Sequence, residues 1–205
     1  MKTINYLKSY GYKETLTKIF YKFLPIHKYL LYLIYGFDKW HLSSFYERKY
    51  AIDIVKYINN NYKNPKIAEI GCGLSDILSR IKSSNRYGYD NDQKVLKSNK
   101  FYLYFKKINF IKLNFLVDEM IEKEFDLIIL CNWIHEIDSQ TLKTKINNLY
   151  ENNIQEKGKI IIDIVMDSKY LFNHDIDELF SNLFFEKKLI GQYRFGRKVF
   201  EITKK

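Results

Sequence analysis

The stretch Lys66–Ile81, KIAEIGCGLSDILSRI, runs from an apolar β-prone segment through a turn with two glycines, Gly71 and Gly73, into a helical pattern over 75–83. From there the chain keeps alternating. Strands are expected at 66–70, 86–90, 108–113, 125–131 and 159–165, and helices at 75–83, 92–100, near 115–122 and at 139–153. That order predicts an α/β fold with an open, doubly wound, mostly parallel sheet. A short helix is expected at 175–181. After it, LFFEKKLI and RKVFEITK flank GQYRFG and read as two closing strands joined by a hairpin.

Upstream of the sheet the pattern is helical. Leu16, Ile19, Phe20 and Phe23 share one helix face before Pro25, with lysines on the other side. Ser44 and Glu47 have capping-box spacing ahead of Ala51, Ile54, Val55 and Ile58. The apolar run Tyr29–Phe37 is too short for a bilayer span of about 20 residues and reads as packed or interfacial. The expected organisation is a helical lead-in or cover over residues 1–60 and a main unit over 61–205, folded as one domain.

The 205 residues carry a net charge of +10, concentrated at the two ends. Residues 1–39 hold seven Lys against Glu14 and Asp38, and 187–205 hold seven Lys or Arg against Glu201. Only five basic residues are Arg, so a solvated lysine surface is favoured over a phosphate-reading one. Cys72 and Cys131 have no metal-ligand spacing and are expected as reduced, buried thiols without structural zinc. The N-terminal residues lack the pattern of a secretory signal, so a cytoplasmic location is expected.

Ligands of open α/β sheets bind outside the carboxyl ends of the strands. Gly71 and Gly73 sit at the first such end, where a missing Cβ permits close backbone approach. The third position of a dinucleotide fingerprint would be Asp76, a negative charge that opposes pyrophosphate, and no Gly-Lys-Ser/Thr follows for a P-loop. Asp90 closes the second strand 19 residues after Gly71, where a carboxylate can accept from ribose hydroxyls. A ribose-bearing ligand without pyrophosphate fits this pattern.

The ordered series EIGCG, YGYDND, FDLIILCNWIHEID and EKGKIIIDIV resembles class I S-adenosylmethionine-dependent methyltransferases over about residues 66–165. The upstream FDKWHLSSFYERKYAIDIVKYIN resembles the lead-in of small bacterial members acting on sugars or surface-polymer components. The resemblance implies a seven-stranded Rossmann-like sheet with one antiparallel strand, and S-adenosyl-L-methionine as cofactor. It implies Glu69, Gly71 and Gly73 around the methionine moiety, Asp90 at the ribose, Asn114 and Asn91 near the adenine, and Asn132 beside the sulfonium. Trp40, His41, Tyr46 and Arg48 lie in a lead-in that closes over the cofactor in this family. The chain departs from the family pattern at Ser75, expected as a helix N-cap in place of glycine, and at Asn114 in place of aspartate.

His135, within CNWIHEI, is the candidate general base, with Glu136 either a solvated neighbour or its orienting partner and Trp133 a packing aromatic. His27 and His174 show no constellation. The segment CNWI lacks the Asn/Asp-Pro-Pro-aromatic pattern of base N-methylation, and Cys131 lacks the proline of pyrimidine C5 enzymes. A small hydroxylated or saccharide acceptor is therefore expected, without a metal. The alternatives are an RNA methyltransferase using the basic ends and a cofactor-binding, inactive adaptor. Residues 1–39 are expected to cover the acceptor pocket, with peripheral contact to an anionic membrane surface as the other possibility.

Overall fold

The structure, a computed structural model, describes residues 26–181 and 183–205. The amphipathic stripe Leu16–Phe23 lies outside the described residues. Seven strands form one sheet in the order β3-β2-β1-β4-β5-β7-β6. They are β1 (Ile67–Ile70), β2 (Arg86–Asp90), β3 (Asn109–Lys112), β4 (Phe125–Leu130), β5 (Ile154–Ile164), β6 (Phe185–Gln192) and β7 (Lys198–Lys204). The first five pair in parallel, and β7 is antiparallel to both β5 and β6. The expected sheet and its terminal hairpin are thus present. Chain order reverses at β1, between β2 and β4, so the carboxyl end of β1 is the switch point.

Helices α1 (Ile26–Tyr35), α2 (Lys49–Asn61), α3 (Gln93–Tyr102), α4 (Ser139–Asn152) and α5 (Ile176–Leu179) accompany the sheet. Strand alternation divides the core. Ala68, Ile70, Ile128, Leu130, Ile160 and Ile162 pack with Leu142, Ile146 and Leu149 of α4. On the opposite face Ile67, Leu127, Ile129 and Ile161 meet Ala51, Ile54, Val55 and Ile58 of α2, the stripe expected from their spacing. Ser44, however, caps a single 3₁₀ turn at Phe45–Glu47 by accepting from Tyr46 N; α2 begins two residues later.

Two expected helices are absent. Over 75–83 only a 3₁₀ turn forms, at Leu78–Arg80. Ser75 adopts φ +53°, which an L residue takes at a steric cost, and the Leu78 N–H goes to the Glu69 carboxylate instead of a helical carbonyl. Ser75 is therefore no N-cap. Near 115–122 the chain turns once and extends. The Asn114 Oδ1 accepts from Leu116 N and the Asp118 carboxylate from Asn114 N, a local side-chain closure that competes with helix propagation.

Candidate functional site

The turn after β1 is held in shape by its neighbours. Gly71 and Gly73 adopt φ +69° and +50°. The Gly73 N–H donates to Asp90 Oδ2 at 2.8 Å, the Asp92 N–H donates to Asp90 Oδ1 at 3.0 Å, and Asn99 Nδ2 donates to the Gly73 carbonyl at 2.7 Å. Asp90 thus joins the ends of β1 and β2; its burial raises its pKa, against the pull of those backbone donors. Burial also pushes the Glu69 carboxyl up to about 8, opposed by the Leu78 N–H, so Glu69 is largely protonated near neutral pH.

Side chains cover both glycines. A Cβ at Gly71 would lie 2.4 Å from the Trp133 ring, and one at Gly73 would lie 3.0 Å from His41 Nδ1. The Trp133 indole N–H donates to the Ile70 carbonyl at 2.6 Å, and its ring meets Phe115 edge-on. His41 is stacked under the exposed Trp40, and burial lowers its pKa to about 4, leaving a neutral imidazole. Trp40, His41, Arg48, Tyr50, Glu69 and Asn132 line a cleft of about 50 Å³ along this loop. A nucleoside-sized ligand, for which pockets of roughly 300–1,000 Å³ are usual, requires the Trp133 and His41 rings to move.

Asp76 turns out to be the anchor of the lead-in. Lys28 of α1 donates to it at 2.6 Å and to the Ser43 carbonyl at 2.7 Å, Arg48 bonds the same carboxylate, and Arg80 lies 3.6 Å away. Its charge is therefore compensated, and no helix N-terminus stands behind it. The electrostatic case against pyrophosphate at this position loses its ground; what remains is the missing third glycine.

A second polar group gathers at the carboxyl ends of β4 and β5. Asp163, fully buried, pairs with Arg197 from the β6–β7 hairpin and accepts the Asn132 N–H at 2.8 Å. Arg197 also donates to Asn132 Oδ1 at 3.1 Å and stacks over Tyr50 at 4.3 Å. His135 is 1% exposed, with Nε2 3.9 Å from Asp163 Oδ2 and its ring 4.7 Å from that of Tyr170. Both of its ring nitrogens, and the Tyr50 hydroxyl, find no hydrogen-bond partner among the described residues. Burial raises the Tyr50 pKa to about 12.

The sequence-derived residues thus fall into three sets. Glu69, Gly71, Gly73, Asp90 and Asn132 converge on the loop and its cleft, whereas His135 sits behind Asn132 with the second group. Glu136 points to solvent, and the carboxylate facing His135 is Asp163, which corrects the expected orienting partner. Asn91 and Asn114 are exposed, the latter spending one amide lone pair on its own turn. His174 is buried and tied to Ser139 Oγ and the Ile134 carbonyl. Cys72 and Cys131 are free, buried thiols whose pKa burial raises. The sequence reading missed Asp163 and Arg197. The signal for Asp163 was a lone carboxylate inside IIIDIV; Arg197 carried none that set it apart from its basic neighbours.

The sequence matches no protein-family model and no curated protein. The fold is that of class I methyltransferases. Magnesium protoporphyrin IX methyltransferase from Synechocystis PCC 6803, solved with S-adenosylmethionine, aligns at TM-score 0.62 and 10% identity over 92% of this chain and 96% of that one. The N-methyltransferase NodS from Bradyrhizobium japonicum WM9, in complex with S-adenosyl-L-homocysteine, aligns at 0.62 and 16% identity over 78% and 87%. A candidate O-methyltransferase from Nostoc punctiforme PCC 73102 aligns at 0.61 and 14% identity over 76% of this chain, which spans only 57% of that longer one. Among the described residues no helix is long and apolar enough to cross a membrane.

Proposed function

We propose that this protein is an S-adenosylmethionine-dependent methyltransferase acting on a hydroxyl of a small acceptor, saccharides being the leading class. Residues 61–205 form its catalytic unit and residues 1–60 its lead-in. One observation carries the reading: the glycine loop with Asp90, and the His135–Asp163–Arg197 group, stand at the same carboxyl edge of a 3-2-1-4-5-7-6 sheet. The solved relatives differ in the atom they methylate, so the choice of oxygen rests on the histidine, the missing Asn/Asp-Pro-Pro-aromatic segment speaking only against base N-methylation.

When bound, the cofactor supplies an electrophilic methyl group on a sulfonium. Gly71 and Gly73 would admit it against the backbone, with Glu69 at the methionine portion and Asn132 beside the sulfonium. Asp90 accepts ribose hydroxyls with the lone pairs left over from Gly73 and Asp92, and Asn91 and Asn114 stand at the adenine rim. Arg48, whose buried Nε has no partner among the described residues, would suit the amino-acid carboxylate. His135 takes the acceptor's hydroxyl proton, and the resulting imidazolium is stabilised by Asp163 at 3.9 Å. Alignment of acceptor and methyl group supplies the rest of the rate.

Calorimetry should find binding of S-adenosylmethionine and its demethylated product but not of NAD; NAD binding instead would sink the reading. In single-turnover transfer His135→Gln should slow the reaction by roughly 10²–10⁴-fold with cofactor affinity and melting temperature held. Transfer within about threefold of wild type would make His135 structural and leave alignment as the sole source of rate. The Trp133 ring over Gly71 favours a second reading, a cofactor binder without turnover. Trp133→Ala should then tighten cofactor binding while producing no transfer. The RNA alternative draws less support, because Arg197 is buried on Asp163 and Lys187 is paired with Asp177.

A further inference from the structure

Helix α1 is apolar on the side that faces away from the protein. Ile26, Tyr29, Leu30, Leu33 and Ile34 recur at i, i+3, i+4, i+7 and i+8 and so share a face, yet all five are exposed, while Lys28 and Leu31 are buried. Beside it, α1 touches the aromatic end of α3, where Tyr35 meets Phe101 at 6.4 Å and His27 stacks on Tyr102 at 4.9 Å. Tyr104 and Phe105 follow in the chain and are exposed as well, Phe105 to 91%. Contiguous apolar surface of this kind marks an interaction site.

The chain around it is mostly basic, with Asp38 after α1 and Asp92 at the cap of α3 as the acids. Residues 93–112 hold six lysines and no acidic residue, and Lys97, Lys100, Lys106 and Lys107 are exposed. The sequence leading into α1, residues 1–25, adds five lysines against Glu14 alone. Tyrosine rings and lysine stems suit a boundary that is apolar on one side and wet on the other. The complement of a lysine-rimmed aromatic face is a surface with an apolar interior and anionic phosphates above it.

We infer that this face docks on an anionic lipid bilayer. Helix α1 lies in the interface plane, its rings at headgroup depth and the lysines of 93–112 against lipid phosphates. At ten residues α1 lies on the membrane and does not cross it. The inference does not depend on methyl transfer.

The test is co-sedimentation of the full chain with vesicles of phosphatidylcholine alone or mixed with phosphatidylglycerol. Binding is expected only to the mixed vesicles, and it should fall at least about tenfold as salt rises from about 50 mM to about 500 mM. Leu33→Glu with Ile34→Glu should abolish it, and Phe105→Glu should weaken it; both sets change exposed side chains, and circular dichroism checks that they fold. No pelleting with mixed vesicles at low salt overturns the inference. So does unchanged binding of both variants, which would place lipid contact elsewhere. A wild-type dimer in ultracentrifugation that the same substitutions dissolve, without lipid binding, would assign the face to a second copy of this chain.

Discussion

The glycine loop and the group around Asp163 stand at the same edge of the sheet and are built in opposite ways. In the loop, polar side chains close onto backbone from nearby strands: Asp90 onto Gly73 and Asp92, Asn99 onto Gly73, Glu69 onto Leu78. Around Asp163, side chains from four distant segments meet one another, and the His135 nitrogens and Tyr50 hydroxyl are left without partners among the described residues. A satisfied frame holds shape, whereas unspent buried donors and acceptors are where chemistry or ligand recognition can enter.

The comparison can be broken where it is most strained. Asp163→Ala should destabilise the fold by about 3–5 kcal/mol, because it strands the Arg197 guanidinium in a buried position. Denaturant unfolding measures this, and a loss no larger than for Asp90→Ala would erase the contrast between the two regions. The next effect is at Gly71. Gly71→Ala should cost about 1–3 kcal/mol, combining a positive φ with a clash against Trp133. Adding Trp133→Ala should relieve only the clash, so non-additivity in a double-mutant cycle separates the two causes. Asp90→Ala should weaken cofactor binding by roughly 1.5–3 kcal/mol; unchanged affinity in a folded variant would confine Asp90 to the frame.

A further effect is a pH dependence. Glu69 titrates near 8 when folded against an ordinary carboxyl value of 4.5, so the folded state holds its proton longer than the unfolded chain does. Its contribution is complete below the unfolded value and is lost as pH rises through about 8. Melting temperature should therefore decline for wild type relative to Glu69→Gln between pH 5 and 8.5, and parallel curves would show that Glu69 carries no raised pKa.

How much of this was legible in the sequence follows the same division. The strands, the glycine turn and Asp90 announce themselves because each depends on residues close in sequence: apolar runs, paired glycines, a carboxylate at a strand end. The helix expected over 75–83 failed because Glu69, nine residues from Leu78, captured a backbone donor that periodicity assigns to a helix. Asp163 and Arg197 are 34 residues apart, and only the antiparallel pairing of β5 with β7 brings them together. Asp76 looked like a charge aimed at a ligand because Lys28, 48 residues upstream, cannot be placed beside it without the fold. The Tyr29–Phe37 run was legible as apolar, but which side faced outward was set by that same lysine.

The buried Lys28–Asp76 contact makes the lead-in and the glycine loop parts of one mechanical unit. Burial lowers the Lys28 pKa although Asp76 pulls it upward, so the contact joins two groups that have both left water. Reciprocity then follows from thermodynamics alone. Whatever shifts α1 relative to Asp76 changes the free energy of shaping the loop, and any ligand that reshapes the loop alters the grip of α1 on its surroundings by the same factor. Lys28 and Arg48 both reach Asp76 from the lead-in, so the tie between α1 and the segment after Gly71–Gly73 is a shared carboxylate.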